Sequence, residues 1–407
     1  MRTVTVVLLA VVFLAGCGSN DDQLARRAGK IHASIMTIDT HCDSPMRFSE
    51  GNFDLGQLHD DGCVDFPRMQ SGGLHAEFFA AFLAQGPRND SSYSDVYRET
   101  VSIIDAIHRN VDKNAAVAGI ALSPSDGYKL KKEGKIAAYI GIENGYAIGK
   151  DLSLIKKYYD LGARYMTLSH TRNNDICDSS TDPGGPENDG LSEFGKEVVR
   201  EMNRLGMIVD ISHVSDKSFF DVLKVSIAPV IASHSSCRAL CGSPRNLSDD
   251  MLVALKENGG VIQICLLSSY LKTPEPNPEM EAKLKDLKEK YGEYGSLPDS
   301  VKKIVRREYS SIREKYENLA TVKDIVDHID HVVQIIGVDY VGIGSDFDGG
   351  GGLKDCKDAS QMKNITIELL RRGYTRSDIK KIWGGNFMRV FRKVEEVAAG
   401  TSAGSTA

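Results

Sequence analysis

Two stretches decide the fold: Met207-Ile208-Val209-Asp210-Ile211-Ser212-His213 and Ala228-Pro229-Val230-Ile231-Ala232-Ser233-His234-Ser235-Ser236. Each is a short apolar run, rich in β-branched residues, that ends in polar residues including a histidine. Such runs read as strands buried on both faces. Glu193 to Leu205 comes just before the first and has the spacing of a helix, with Ser192 as its N-cap and Gly206 as its stop. Strand, helix and strand thus alternate.

Working outward, the same kind of run occurs at Ile35 to Asp43, Leu74 to Leu83, Lys135 to Asn144, Ala163 to Thr171, Gly259 to Leu266 and Tyr340 to Gly349. Helical spacing recurs between them at Tyr97 to Ala115, Leu152 to Leu161 and Leu247 to Asn258. Eight βα units predict an α/β chain folded as a closed parallel (β/α)8 barrel of the TIM type, and barrels of this kind reach such lengths as one domain. The Lys/Glu-rich segment 274–318, with Pro274, Pro276, Pro278 and Pro298, reads as a helical insertion before strand eight, its charge a solvated face. The barrel domain is predicted over 31–397. The Gly/Ser/Thr/Ala-rich stretch 398–407 lacks apolar content and reads as a disordered tail.

With 50 basic against 56 acidic residues the net charge is −6, and no basic block is interleaved with aromatics, so a nucleic-acid partner is not expected. Met1-Arg2-Thr3 followed by the apolar run Val4 to Ala15 has the form of a secretory signal, too short to span a bilayer. It closes in Leu14-Ala15-Gly16-Cys17, which resembles a bacterial lipobox. The expectation is a signal peptide over 1–16, lipidation at Cys17, a tether over 17–30, and a place in the bacterial cell envelope, held to a membrane by the lipid. The plainer alternative is an ordinary signal peptide with an incidental cysteine. Seven other cysteines, with no Cys-x-x-Cys pair, suggest no disulfide framework, and Cys237 and Cys241 read as small thiols rather than soft metal ligands.

Side chains suited to metals cluster at the ends of the predicted strands: His41 and Asp43, Glu143, His170, His213, His234, and Asp346 with Asp348. In a βα barrel all the strand carboxyl ends converge on one face, so these residues can share one site. His41 and Asp43, two apart, point to the same side of a strand, with Cys42 on the other. Together with Glu143, His213 and His234 they make five N/O ligands without a thiolate, a set that suits zinc or a similar divalent ion. Two metals about 3.5 to 4 Å apart can activate a shared water and polarise a carbonyl. A lone His at a strand end is weak evidence; four histidines together with these acids at successive ends are strong. His32, His59, His75, His108, His328 and His331 read as structural or surface residues. No Gly-x-Ser-x-Gly elbow, Walker A loop or dinucleotide fingerprint occurs in its required context, and Gly349 to Gly352 reads as a flexible loop.

Ile38-Asp39-Thr40-His41-Cys42-Asp43, Gly141-Ile142-Glu143-Asn144, Leu168-Ser169-His170, Asp210-Ile211-Ser212-His213, Ser233-His234-Ser235-Ser236, Pro244-Arg245-Asn246, Gly342 to Gly349 and Gly384-Gly385-Asn386-Phe387 occur in that order. As a set they resemble the renal, or membrane, dipeptidase family of zinc peptidases, here as a bacterial lipoprotein member. The resemblance implies a metallo-dependent hydrolase-like barrel holding two zinc ions per subunit, His41 and Asp43 on one, His213 and His234 on the other, and Glu143 bridging. It also implies hydrolysis of dipeptides through a metal-bridging hydroxide. His170 would contact the scissile carbonyl, Arg245 the substrate carboxylate, and Asp346 the substrate amine, with a part in proton transfer. A homodimer is a further expectation of the resemblance.

Arg245 taken by itself reads equally as a loop salt bridge. Where mammalian members carry a bridging cysteine this chain has Arg172, and Cys241 has no evident counterpart, so their disulfides do not carry over. Their C-terminal glycolipid anchor does not carry over either. Two other readings remain open from the residues: a related barrel hydrolase acting on another amide or a lactone, and a lipid-anchored binding protein with an inactive site.

Overall fold

The computed structural model describes residues 20–48, 53–273, 275–292 and 297–404. Its strands are β1 Ile38–Cys42, β2 Ala76–Phe82, β3 Ala118–Ile120, β4 Ile136–Glu143, β5 Ala163–Thr167, β6 Ile208–Asp210, β7 Ile231–Ser235, β8 Val261–Cys265 and β9 Val341–Gly344. All pairings are parallel, in the order β1-β2-β4-β5-β6-β7-β8-β9. The first and last strands meet where Asp43 N–H donates to Phe347 O (2.8 Å) and Asp346 N–H to His41 O (3.0 Å). Eight parallel strands therefore form the predicted TIM-type barrel. β3 was not predicted; it pairs with β4 outside the ring and is too short for a periodic signal.

Alternation along the strands divides the core in two. Phe78, Tyr139, Tyr165, Ile208, Ile231 and Val261, from six strands, cluster with Phe387 and Phe391 of the last helix. Their strand neighbours Phe79, Ile140, Met166, Val209 and Ile262 belong to the larger cluster that the surrounding helices cover. The ladder stops short of several site residues: Asp43, His213 and Asp346 lie just past their strands.

The predicted insertion consists mainly of the helices Pro278–Tyr291 and Asp299–Tyr316, between β8 and β9. Lys290 ties the two together by pairing with Glu308 (3.0 Å), and Arg306 and Lys303 pair with Asp61 and Asp60 in the segment after β1.

Two boundaries need correction. The segment expected to be a tether to residue 30 is from Asn20 onward a helix, Asn20–Ser34, with Ala28 and Ile31 buried and Asp21 paired with Arg371 (2.7 Å). Leu24, Ala28, Ile31 and Ile35 recur at helical spacing, which gives this helix an apolar face despite its charge. Of the expected disordered tail, the described residues 398–404 instead continue the helix Asn386–Gly404, with Thr401 Oγ1 donating to Ala398 O (2.8 Å). Extending a helix that is already nucleated costs little, and alanines favour it. The predicted signal peptide and Cys17 lie outside the described residues.

Candidate metal centre

His41 ends β1 but for one residue, Glu143 is the last residue of β4, His234 sits in β7, and Asp43 and His213 follow β1 and β6. All five are buried. Glu143 is at their centre. Its Oε2 lies 3.4 Å from His41 Nε2, while its Oε1 lies 3.1 Å from His213 Nε2 and 3.4 Å from His234 Nε2. His41 Nε2 is also 3.7 Å from Asp43 Oδ2, and the Nε2 atoms of His213 and His234 are 2.9 Å apart. The two carboxylate oxygens thus face two different groups of ligands.

The donors fit metal ions. His41 Nε2 and Asp43 Oδ1 are buried with no hydrogen-bond partner, an arrangement that folding alone disfavours. Ser233 Oγ donates to Asp210 Oδ2 (2.6 Å) and so can only accept from His234 Nδ1 (2.8 Å). That fixes the proton on Nδ1 and leaves the Nε2 lone pair facing Glu143. His41 Nδ1 is hydrogen-bonded to the Tyr165 hydroxyl (2.8 Å).

Electrostatics agree with this reading. Burial holds His213 and His234 well below the usual imidazole range, so both are neutral. Burial works to raise Glu143, but the facing His41 and His170 hold it well below the ordinary carboxylate range. Asp43 is raised by burial and by Glu143, and Asp346 well above its usual value by burial and by Asp43. Three carboxylates crowd this buried space, and although burial works to lower it, Tyr165 and Glu143 push His41 well above the usual imidazole range, a demand for positive charge that a cation meets.

The remaining predicted residues rim this centre. His170 Nε2 is 3.7 Å from Glu143 Oε1, farther than His213 or His234, and its ring packs edge-on to Phe82. Donor clusters that would suit an ion are His41/Glu143/His234, Glu143/His170/His213 and His41/Asp43/Asp346. Arg245 is buried; its Nη2 donates to His234 O (3.0 Å), its guanidinium lies over the Tyr270 ring at 5.2 Å, and its Nε has no partner. Among the described residues no carboxylate pairs with it. The salt-bridge alternative for Arg245 therefore falls.

The family pattern of "Membrane dipeptidase (Peptidase family M19)" matches residues 25–405. The chain belongs to the membrane dipeptidase family, M19. The dipeptidase aclJ of Aspergillus oryzae is 36% identical over 347 residues, covering 84% of this chain and 72% of that protein. The crystal structure of the probable dipeptidase PvdM from Pseudomonas aeruginosa superposes with a TM-score of 0.80 at 32% identity, covering 93% of this chain and 100% of that one. A metallo peptidase from Rhodobacter sphaeroides, liganded with a phosphinate mimic of L-Ala-D-Ala, has a TM-score of 0.72 at 21% identity, covering 88% and 99%, and shows the shared fold. Of the activities open from the residues, membership decides for a metallodipeptidase with a binuclear-type His/Glu centre.

Several parts of this M19 site escaped the sequence reading. Tyr165 holds His41, and it has room because Gly141 has no side chain: a Cβ there would fall inside the Tyr165 ring. Gly349, read as part of a flexible loop, is held in a turn by its N–H to Asp346 O (3.1 Å), and a Cβ on it would overlap the carboxylates of Asp43 and Asp346. Asn144, His213 and Asp346 take positive φ (85°, 70° and 60°), the strained conformation that turns each chain end into the site. The histidines read as structural have partners away from the centre: His32 with Thr366, His59 with Asp54 O, His75 with Thr37, His108 with Leu161 O, His328 with Leu271 O and His331 with Asp249.

Proposed function

We propose that this metallodipeptidase holds two zinc ions, one on His41 and Asp43 and one on His213 and His234, with Glu143 between them. The observation that carries this reading is the division of Glu143, Oε2 toward His41 and Oε1 toward His213 and His234. N/O donors without thiolate suit zinc. Bound zinc supplies Lewis-acid polarisation of the scissile carbonyl and a water of lowered pKa.

The chain's own residues do the rest. Arg245, buried and without an acidic partner, binds the substrate's free carboxylate through its planar fork. Asp346, just past the end of β9, accepts the substrate's ammonium and carries a proton between the reacting oxygen and the leaving amine. The raised affinity of Asp346 for a proton supports that second duty. His170, at the rim, donates to the carbonyl oxygen as negative charge develops. Recognising both ends selects dipeptides, because a longer chain leaves a buried charge unpaired.

Metal analysis of the purified protein, with a dipeptide panel assayed before and after chelation, tests the reading. About two zinc ions per chain and chelator-sensitive hydrolysis are expected; metal-free protein or chelator-resistant hydrolysis refutes it. We further propose that Cys17 carries a lipid and places the enzyme in the bacterial cell envelope, on the support of the Val4 to Cys17 sequence alone. Labelled palmitate should enter the wild type and not Cys17→Ala.

A further inference from the structure

Asp210, the last residue of β6, is buried and stands outside the ligand set, yet it gathers hydrogen bonds from three strands. Its Oδ1 accepts the backbone N–H of Ser212 (3.0 Å), two residues on, and that of Ser233 (2.9 Å) in the neighbouring β7. Its Oδ2 accepts the hydroxyls of Thr167 (2.5 Å), at the end of β5, and of Ser233 (2.6 Å). The carboxylate therefore grips the residues that immediately precede His213 and His234.

Half of this arrangement recurs where β1 meets β9. Asp39 Oδ1 accepts the N–H of His41 (3.3 Å), again two residues on, and that of Ser345 (2.7 Å), just past β9. There the second oxygen, Asp39 Oδ2, has no hydrogen-bond partner. One oxygen thus suffices to grip two strand ends, and the second oxygen of Asp210 has a different duty, which lies in Ser233. Because that serine gives its proton to Asp210, it meets His234 Nδ1 (2.8 Å) only as an acceptor, and the imidazole proton stays on Nδ1.

We infer that Asp210 is a positioning residue for zinc: acting through Ser233, it sets the tautomer of His234 and keeps Nε2 free to bind metal. This rests on the assignment of His234 as a zinc ligand given above. Asparagine, with the shape of aspartate, would reverse the relay. The two backbone N–H groups hold its carbonyl oxygen at the Oδ1 position, so its amide nitrogen takes the place of Oδ2 and donates to Ser233 Oγ. The serine proton then turns to His234 Nδ1, and the ring carries its own proton on Nε2, where zinc would bind. The other hydroxyl near Ser233, Ser212 Oγ, is farther away (3.3 Å) and already accepts the His234 N–H (3.1 Å).

Heteronuclear NMR of metal-free protein with nitrogen-labelled histidine rings reads the tautomer without any turnover. His234, identified by the signal lost in His234→Gln, should be the Nδ1–H form in the wild type and the Nε2–H form in Asp210→Asn. Zinc affinity, from competition with a chromophoric chelator, should fall about 10- to 100-fold at one of the two sites. Ser233→Ala removes the relay, so on its own it should give a mixture of tautomers, and adding Asp210→Asn to it should weaken zinc little further. The Ser233→Ala measurement decides the matter alone if Asp210→Asn does not fold. A His234 that stays Nδ1–H in Asp210→Asn, or wholly Nδ1–H in Ser233→Ala, overturns the inference. So does an equal loss of affinity from Asp210→Asn with and without the Ser233 hydroxyl, the mark of a purely structural role. A wild type that binds no zinc while the tautomers switch as described removes the metal reading and leaves the relay standing.

Discussion

The centre depends on residues that touch no substrate. Tyr165 is the plainest case: its hydroxyl orients His41 through Nδ1, and Gly141 leaves room for its ring. Tyr165→Phe should weaken zinc binding about 10- to 100-fold, the usual cost of losing such a partner, with little change in fold; competition against a chromophoric chelator measures it. Arg245→Ala should raise KM for free dipeptides and leave hydrolysis of C-terminally amidated ones nearly as it was. Equal losses on both substrates would show that Arg245 supports His234 through its carbonyl instead of clamping substrate. The five metal-binding candidates were visible in the sequence because each stands at the polar end of an apolar run. Tyr165 and Gly141 were not, since a tyrosine and a glycine inside strands look like ordinary core until the interior of the barrel is assembled.

Among the elements, the helix Asn20–Ser34 shows how a charged sequence can still dock. His32 Nε2 bonds Thr366 Oγ1 (2.7 Å), which also accepts from Trp383 Nε1 (2.6 Å), and burial lowers the His32 pKa to about 4. A histidine that is neutral when folded stabilises fully above its unfolded pKa of about 6.5 and loses that contribution as pH falls toward 4, because only the unfolded chain then takes up the proton. The loss across that window is about 3 kcal/mol at most. Denaturant unfolding at pH 7 and pH 4.5 should show it in the wild type, and a smaller difference in His32→Gln. This docking was hidden in the sequence because Arg26, Arg27 and Lys30 lie between the apolar positions and make the segment look like a linker. β3 was hidden for a different reason: three residues cannot display a period.

For the molecule as a whole, closing eight strands into a ring brings ligands from β1, β4, β6 and β7 to one face, so metal binding and folding are coupled. Zinc added to metal-free protein at a hundredfold excess over Kd should stabilise it by about 2.7 kcal/mol per site and raise the melting temperature in scanning calorimetry. Glu143→Gln should largely abolish that rise. The ring and the face on which the site lies were legible because βα alternation is a long-range pattern repeated eight times; the positive-φ turns at Asn144, His213 and Asp346 were not, being imposed by closure. The sulfur atoms carry a practical corollary. Cys42, Cys63, Cys177, Cys237, Cys241, Cys265 and Cys356 are unpaired, six of them buried outright, and burial pushes the Cys177 thiol up to about 12. Thiols buried in this way are poor nucleophiles. A cysteine introduced on the exposed side of the helix Asp90–Lys113, for example at Ser91, should therefore outcompete the native thiols described here for a maleimide dye, giving a fluorescent reporter at the start of that helix without first stripping out the native sulfur.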